Sequence, residues 1–301
     1  MTISSMQAGA EKMAGEVRSV LSLGATLGEG PIWVAHDAAL WFVDIKAPSI
    51  HRFDPALEAV RSWTAPAQIG WILPDSNGRF LVGLQTGIHR FDPVDGDFSL
   101  VHAPELHLPG NRLNDATVHP DGALWFGSMD DSETAISGVF YRMDRSGCVA
   151  SGLDAVSITN GPAVSRNGDI LYHVDTIGRT IWRSVIDGSG VNDTRVFAQI
   201  EEGAGYPDGP TIDAEGCLWI GLFGGWGVRR YDPAGKLMAS VAFPVANVTK
   251  VAFGGDGLAT AYATTAAKGL SLAERRAQPL AGDLFAFDPG VCGVPGILAK
   301  L

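Results

Sequence analysis

Short apolar runs, each led by a polar or glycine-containing turn, recur along the whole chain: "DAALWFVD", "NGRFLVGL", "DGALWFGS", "NGDILYHV", "EGCLWIGL" and, more loosely, "DGLATAYA". Their aromatic and aliphatic content after a turn predicts β-hairpins. A second element follows each of them. The stretch "IHRFDP" at 50–55 returns letter for letter at 88–93, with looser copies in "FYRMDR", "IWRSVI", "VRRYDP" and "LFAFDP". Each copy ends an apolar–polar alternation in a turn such as Asp-Pro, as a strand leaving a sheet should. With Trp41, Leu81, Trp125, Leu171 and Trp219 as markers, successive repeats lie 40, 44, 46 and 48 residues apart. That period is close to that of four-stranded propeller blades. Helical periodicity is confined to "SLAERRAQ" at 271–278. The pattern therefore predicts an all-β, six-bladed β-propeller with four-stranded blades around a central channel. One domain is expected over 16–301, with 16–26 supplying a strand that closes the ring and 1–15 forming a flexible extension.

A second repetition lies inside the first. "EGP" at Glu29, "NGP" at Asn160 and "DGP" at Asp208 each set an oxygen-bearing side chain before Gly-Pro, 12, 11 and 11 residues ahead of Trp41, Leu171 and Trp219. The same frame falls on Asn114 in the third repeat, near Ile69 in the second and on Thr249 in the sixth. Innermost strands of a propeller run in the same direction along the channel, so equivalent positions form a ring at one height. Glu29, Asn114, Asn160 and Asp208 are expected to point at the axis together.

Composition narrows the partners. The chain has 301 residues, 46% of them hydrophobic, enough for a large core. A net charge of −11 and no concentration of Lys and Arg argue against nucleic acid. The opening "MTISSMQAGAEKMAGEVRSV" holds no apolar segment of leader length, and no later run is long enough to span a membrane. A soluble cytoplasmic protein, monomeric or weakly oligomeric, is expected. Cys148, Cys217 and Cys292 are odd in number and far apart, which fits buried reduced thiols better than disulfides or a zinc knuckle.

Carboxylates converging in a confined space repel one another and lose hydration, and a divalent cation offsets both effects. Two carboxylates and an amide form a hard oxygen set suited to Ca²⁺, Mg²⁺ or Mn²⁺, with Fe²⁺ or Zn²⁺ also admissible, and three protein ligands leave an open face. Taken singly, each polar-Gly-Pro segment is ordinary turn chemistry; three at one offset favour the cation. The histidines offer no rival site: those near turns read as structural or solvated, and His173 in "LYHVDT" reads as packed in preference to facing the channel. No G-x-S-x-G elbow, P-loop or dinucleotide fingerprint occurs.

Taken together, "LGEGPIW", "NRLNDATVHPDGALWFGSM", "ITNGP" and "YPDGPTIDAEGCLWIGL" resemble the SMP-30/gluconolactonase/LRE-like, or regucalcin-like, family of metal-dependent sugar lactonases, in order and over nearly the whole chain. Within it, "ATLGEGPIW", "LWFVDIK", "TGIHRFDP" and "NVTK" are similar to bacterial aldonolactonases of the xylonolactonase type. The resemblance implies Glu29, Asn160 and Asp208 as ligands of one divalent metal, and Arg112 and Asn114 as substrate contacts. It also shows a departure. Where regucalcin-like members place a Glu three residues after the Met of this segment, "GSMDDSE" offers Ser132, flanked by Asp131 and Glu133.

Hydrolysis of a sugar-acid lactone, an aldonolactone of pentono or hexono type, is the expected activity. The metal would polarise the carbonyl and Asp208 would take the proton from water. Phe223 or Trp226 of "LFGGWG" is expected at the rim or between blades. A non-catalytic metal-binding propeller, or a hydrolase of another ester or a phosphotriester, is the alternative.

Overall fold

The computed structural model describes residues 15–188 and 190–301, so all but the last residue of the expected extension lies outside the described residues. Four antiparallel four-stranded sheets follow one another along the chain, each with its strands in sequence order. They begin with the strands Gly28–Val34, Ile69–Pro74, Asn111–Val118 and Thr159–Val164. The remaining strands form an eight-stranded sheet. In it, the meander that starts at Tyr206–Ile212 touches the one that starts at Val248–Gly254 through a single parallel bridge, Gly209 to Lys250. The expected closing strand is Arg18–Leu21, antiparallel to Leu284–Phe287. First strands of successive sheets contact one another, and Val248–Gly254 returns to Gly28–Val34, so they surround a common axis.

The burial of each strand explains its sequence. Second strands are covered on both faces by neighbouring sheets, and Ala39–Asp44, Phe80–Leu84 and Leu218–Phe223 read as almost continuous apolar runs, not as alternations. Trp41 packs with Ile72, Val82 and Phe91 of the next sheet, while Leu40 and Phe42 pack with Tyr262 and Leu284 of the sheet on the other side. Fourth strands such as Ala59–Thr64 are mostly exposed.

The repeated Arg of "HRFDP" also finds a reason. In three sheets a second-strand Trp stands opposite a third-strand Arg: Trp41 with Arg52, Trp125 with Arg142, Trp219 with Arg230. In two of the three an Asp ties Trp to Arg, whereas Trp125 Nε1 has no partner among the described residues. Asp213 accepts from Trp219 Nε1 at 2.9 Å and from Arg230 Nε at 2.8 Å, and Asp37 does the same for Trp41 and Arg52 at 2.8 and 2.7 Å. Asp75 and Arg90 repeat the pair at 3.0 Å where Leu replaces Trp.

The helix Leu272–Ala277 occupies the one helical segment expected, opened by a capping box between Ser271 and Glu274. All three cysteines are free, but Cys292 is exposed and Cys148 half-buried, so only Cys217 matches the expected burial. Cys292 lies in a final segment that crosses the end of the channel where the first strands finish. Its backbone bonds reach Ala214, Leu258, Pro74, Ser76 and Gly122 in four meanders. Among the described residues no helix is long and apolar enough to cross a membrane.

The Asp213–Arg230 pair is sealed, with side chains 0% and 8% exposed, whereas Asp37 and Arg52 are 27% and 24% exposed. Arg230→Ala strands a buried carboxylate and is expected to cost about 3–5 kcal/mol. Arg52→Ala is expected to cost about 1 kcal/mol or less. Urea unfolding midpoints compare them, and equal losses would show that burial does not separate these pairs.

Candidate functional site

Every first strand is interrupted by a register shift at the same height. The shifts lie at Glu29/Ile32, Ile69/Trp71, Leu113/Ala116, Asn160/Ala163, Pro207/Pro210 and Val248/Val251. A bulge leaves a residue out of the ladder and re-aims its side chain, and it tolerates a proline that has no N–H to donate. Gly30 and Gly161 take φ of 55° and 74° there, values that L side chains resist. Polar-Gly-Pro is thus the sequence of a bulge that turns a side chain into the channel.

Glu29, Asn114, Asn160 and Asp208 are all buried and line one cavity of about 250 Å³, together with Arg112, Thr176, Tyr206, Phe223, Glu133 and Lys268. The other two frame positions do not line it. Ile69 is core, and Thr249 donates to the Gly28 carbonyl at 2.7 Å. Its neighbour Lys250 instead enters the channel, bonding Asp115 Oδ1 at 2.6 Å, while Asp115 Oδ2 accepts from Gly161 N at 2.9 Å. That ion pair lies beside the carboxylates; a larger cavity of about 390 Å³, lined by Lys250, opens towards the other end of the strands.

Electrostatics single out the carboxylates. Burial, then the charge of Asp115, raises the Glu29 carboxyl to about 7. Burial, then the charge of Glu29, raises Asp208 well above its ordinary value. Among the described residues neither is ion-paired, and no group of three His, Cys, Asp or Glu is placed to hold a metal. The oxygen set available is mixed, two carboxylates with the Asn160 amide.

A directional relay orients the amides. Arg112 NH1 donates to Asn114 Oδ1 at 2.6 Å, Asn114 Nδ2 to Asn160 Oδ1 at 3.1 Å, Asn160 Nδ2 to Thr176 Oγ1 at 2.8 Å and Thr176 Oγ1 to the Pro207 carbonyl at 3.0 Å. Asn160 must therefore present its oxygen where its donors are not spent. Behind Arg112, Asp131 accepts from Arg112 Nε at 2.9 Å, Lys46 at 2.6 Å and Gln68 at 2.9 Å. Burial opposes its charge, but the bonds from Gln68 and Lys46 outweigh it and bring the carboxyl down to about 2.

The flanks of Ser132 separate clearly. Ser132 is exposed and bonded to Asp130, Asp131 backs Arg112, and Glu133 lines the cavity in an ion pair with Lys268. His173 is packed, with Nε2 3.1 Å from Ser184 Oγ and its ring edge-on to Phe140, and burial lowers it to about 3. Phe223 lines the cavity, whereas Trp226 is exposed away from its lining. Lys250, Asp115, Thr176 and Lys268 were missed by sequence reasoning. One signal was available for Lys250 and Asp115: each follows a residue already placed on the ring, inside a bulge where two successive side chains can enter the channel.

Residues 27–267 match the SMP-30/gluconolactonase/LRE-like region. The chain is 33% identical over 280 residues to the L-arabinolactonase of Azospirillum brasilense, covering 90% of this chain and 91% of that protein. It is 32% identical over 257 residues to pentonolactonase XacC of Haloferax volcanii, covering 83% and 85%. The crystal structure of the calcium-binding protein regucalcin from Agrobacterium tumefaciens superposes with a TM-score of 0.88 at 27% identity, covering 95% of this chain and 97% of that one.

A carboxyl raised by folding stabilises the protein below its unfolded value and loses that contribution as pH rises through its folded value. In chelator, stability is therefore expected to fall between about pH 4.5 and pH 7 by an amount on the order of 1–3 kcal/mol. Glu29→Gln should remove most of this fall. Melting temperatures at pH 5 and pH 8 check it, and an equal fall in the variant would assign it elsewhere.

Proposed function

The chain belongs to the SMP-30/gluconolactonase/LRE-like family, and from that premise we propose that it hydrolyses a sugar-acid lactone, an aldonolactone of pentono or hexono type, with the help of one divalent metal ion. The eight-stranded sheet is read as two blades that share a bridge, giving six in all. The observation that carries the functional reading is the pair of buried acids Glu29 and Asp208, without an ion-pair partner among the described residues, beside Asn160 in a cavity of about 250 Å³. These three residues would hold the ion, and the amide relay supports the orientation that Asn160 needs. Calcium, magnesium, manganese, iron and zinc remain the candidates, because the donor atoms are oxygens and further positions can be water. The cavity is small for a ligand pocket and suits a single sugar ring.

When bound, a divalent cation would keep both carboxylates ionised and polarise the lactone carbonyl. The remaining work falls to side chains. Asp208 accepts the proton of the attacking water as the water oxygen bonds to the carbonyl carbon. The ring C–O bond then breaks, and that proton passes to the departing ring oxygen, leaving a hydroxy acid. Arg112 spends Nε and NH1 on Asp131, Asn114 and the Leu113 carbonyl, and NH2 has no partner among the described residues. Its role is to donate to the hydroxyls or carbonyl of the substrate, held in place by Asp131. Asn114 braces both Arg112 and Asn160 at that wall. A donor wall of this kind favours a polyhydroxylated lactone over an apolar ester or a phosphotriester, and three ligands with an open cavity favour catalysis over a purely structural cation.

Chelation and two variants test this reading. After chelation, hydrolysis of pentono- and hexonolactones should vanish and return on adding a divalent metal, with one ion bound per chain; activity that survives chelation would sink the metal's role. Asp208→Ala should lose the ion and the activity. Arg112→Ala should keep the ion and raise KM by about tenfold or more, as loss of a charged hydrogen bond implies. An Arg112 variant that lost its metal and kept its KM would instead make the guanidinium a support of the ring.

A further inference from the structure

Glu133 and Lys268, 135 positions apart, meet in an ion pair on the wall of the cavity. They stand at its mouth. Their side chains are 33% and 29% exposed, whereas Glu29 and Asp208 at the base are only 5% and 6% exposed. Both backbones are fixed. Glu133 has a left-handed φ of 61°, in a turn whose hub is Asp130. Asp130 accepts from Glu133 N through its carbonyl at 2.9 Å, and through Oδ2 from Thr134 N and Ala135 N at 3.1 and 3.0 Å. Lys268 donates from its backbone to Thr26 O at 2.8 Å and accepts from Asn247 Nδ2 at 3.0 Å. Folding thus holds a strained residue so that a carboxylate and an ammonium face each other across an opening, where a surface pair would add little stability.

We propose that the Glu133–Lys268 pair selects substrates by the charge of the end remote from the lactone carbonyl, accepting a neutral hydroxyl and rejecting an anion; this rests on the lactone reading above. A hydroxyl is both donor and acceptor, so it can give its proton to Glu133 and take one from Lys268 without disturbing their charge balance. A carboxylate can satisfy only Lys268 and must then lie against Glu133. Like charges brought together in this way cost several kcal/mol, the repulsive half of a specificity device. The carboxylate is therefore the discriminating member. Without it, Lys268 becomes a free cation at the mouth.

The test uses the full-length, metal-loaded protein and two substrates, a neutral pentonolactone and glucaro-1,4-lactone, which carries a carboxylate at its far end. Wild type is expected to favour the neutral lactone in kcat/KM. Glu133→Gln should shift the ratio towards glucarolactone by about tenfold or more, partly through a gain on the anionic substrate itself. Lys268→Met should lose activity on the neutral lactone without that gain, and both variants should keep wild-type metal content. A ratio unchanged within about twofold in Glu133→Gln, or the same gain in Lys268→Met, overturns the proposal while leaving lactone hydrolysis standing. A wild type that hydrolyses neither lactone overturns the lactone reading, and the selection proposed here with it.

Discussion

Two carboxyl groups that would each be ionised in water, Glu29 and Asp208, are held together in a buried cavity and have no cation of their own. The rest of the channel is organised around that constraint. Six bulges at one height bring the ring residues inward, and where the strands crowd most closely there is no room for a side chain. A Cβ on Gly70 would stand 2.4 Å from the Leu113 carbonyl. Lys250 tempers both acids from a distance but is committed to Asp115. Two buried acids placed together are unfavourable when both are ionised, and an added positive charge is their natural complement.

The cations in and beside the cavity are each matched by a carboxylate. Arg112 is backed by Asp131, Lys268 by Glu133, and Lys250 by Asp115. Matching keeps Arg112 charged against the effect of its burial, which lowers its basicity. It also fixes geometry, because a guanidinium gripped through Nε offers its remaining nitrogen in one direction. The anionic product of ester hydrolysis would then meet few unspent positive groups, so release need not fight a strong electrostatic grip.

Much of this was legible because repetition converts sequence offset into height along an axis. The hairpin markers and the Asp-Pro strand ends named the meanders, and the closing strand near the N-terminus was placed correctly. Offsets counted from the markers brought Glu29, Asn114, Asn160 and Asp208 to one cavity. They failed at Thr249, because within a bulge the inward direction passes from one residue to the next, so Lys250 took the channel. Lys268 was out of reach for a different reason: it sits on a loop outside the repeat, and only the fold brings it to Glu133, 135 positions away. The shared role of Asp37, Asp75 and Asp213 was equally hidden, since a turn aspartate reads as turn chemistry until its Trp and Arg partners are seen beside it.

The strand that completes the ring has a consequence for the order of events during synthesis. Arg18–Leu21 finds its partner only in Leu284–Phe287, near the opposite end of the chain. Until those last residues emerge, the earliest strand has nothing to pair with, and the final sheet keeps an open edge that another chain could occupy. Contacts between such distant segments also close slowly. A nascent chain of this protein therefore carries an unclosed arc of sheets, open to aggregation at that edge, until these two distant segments meet.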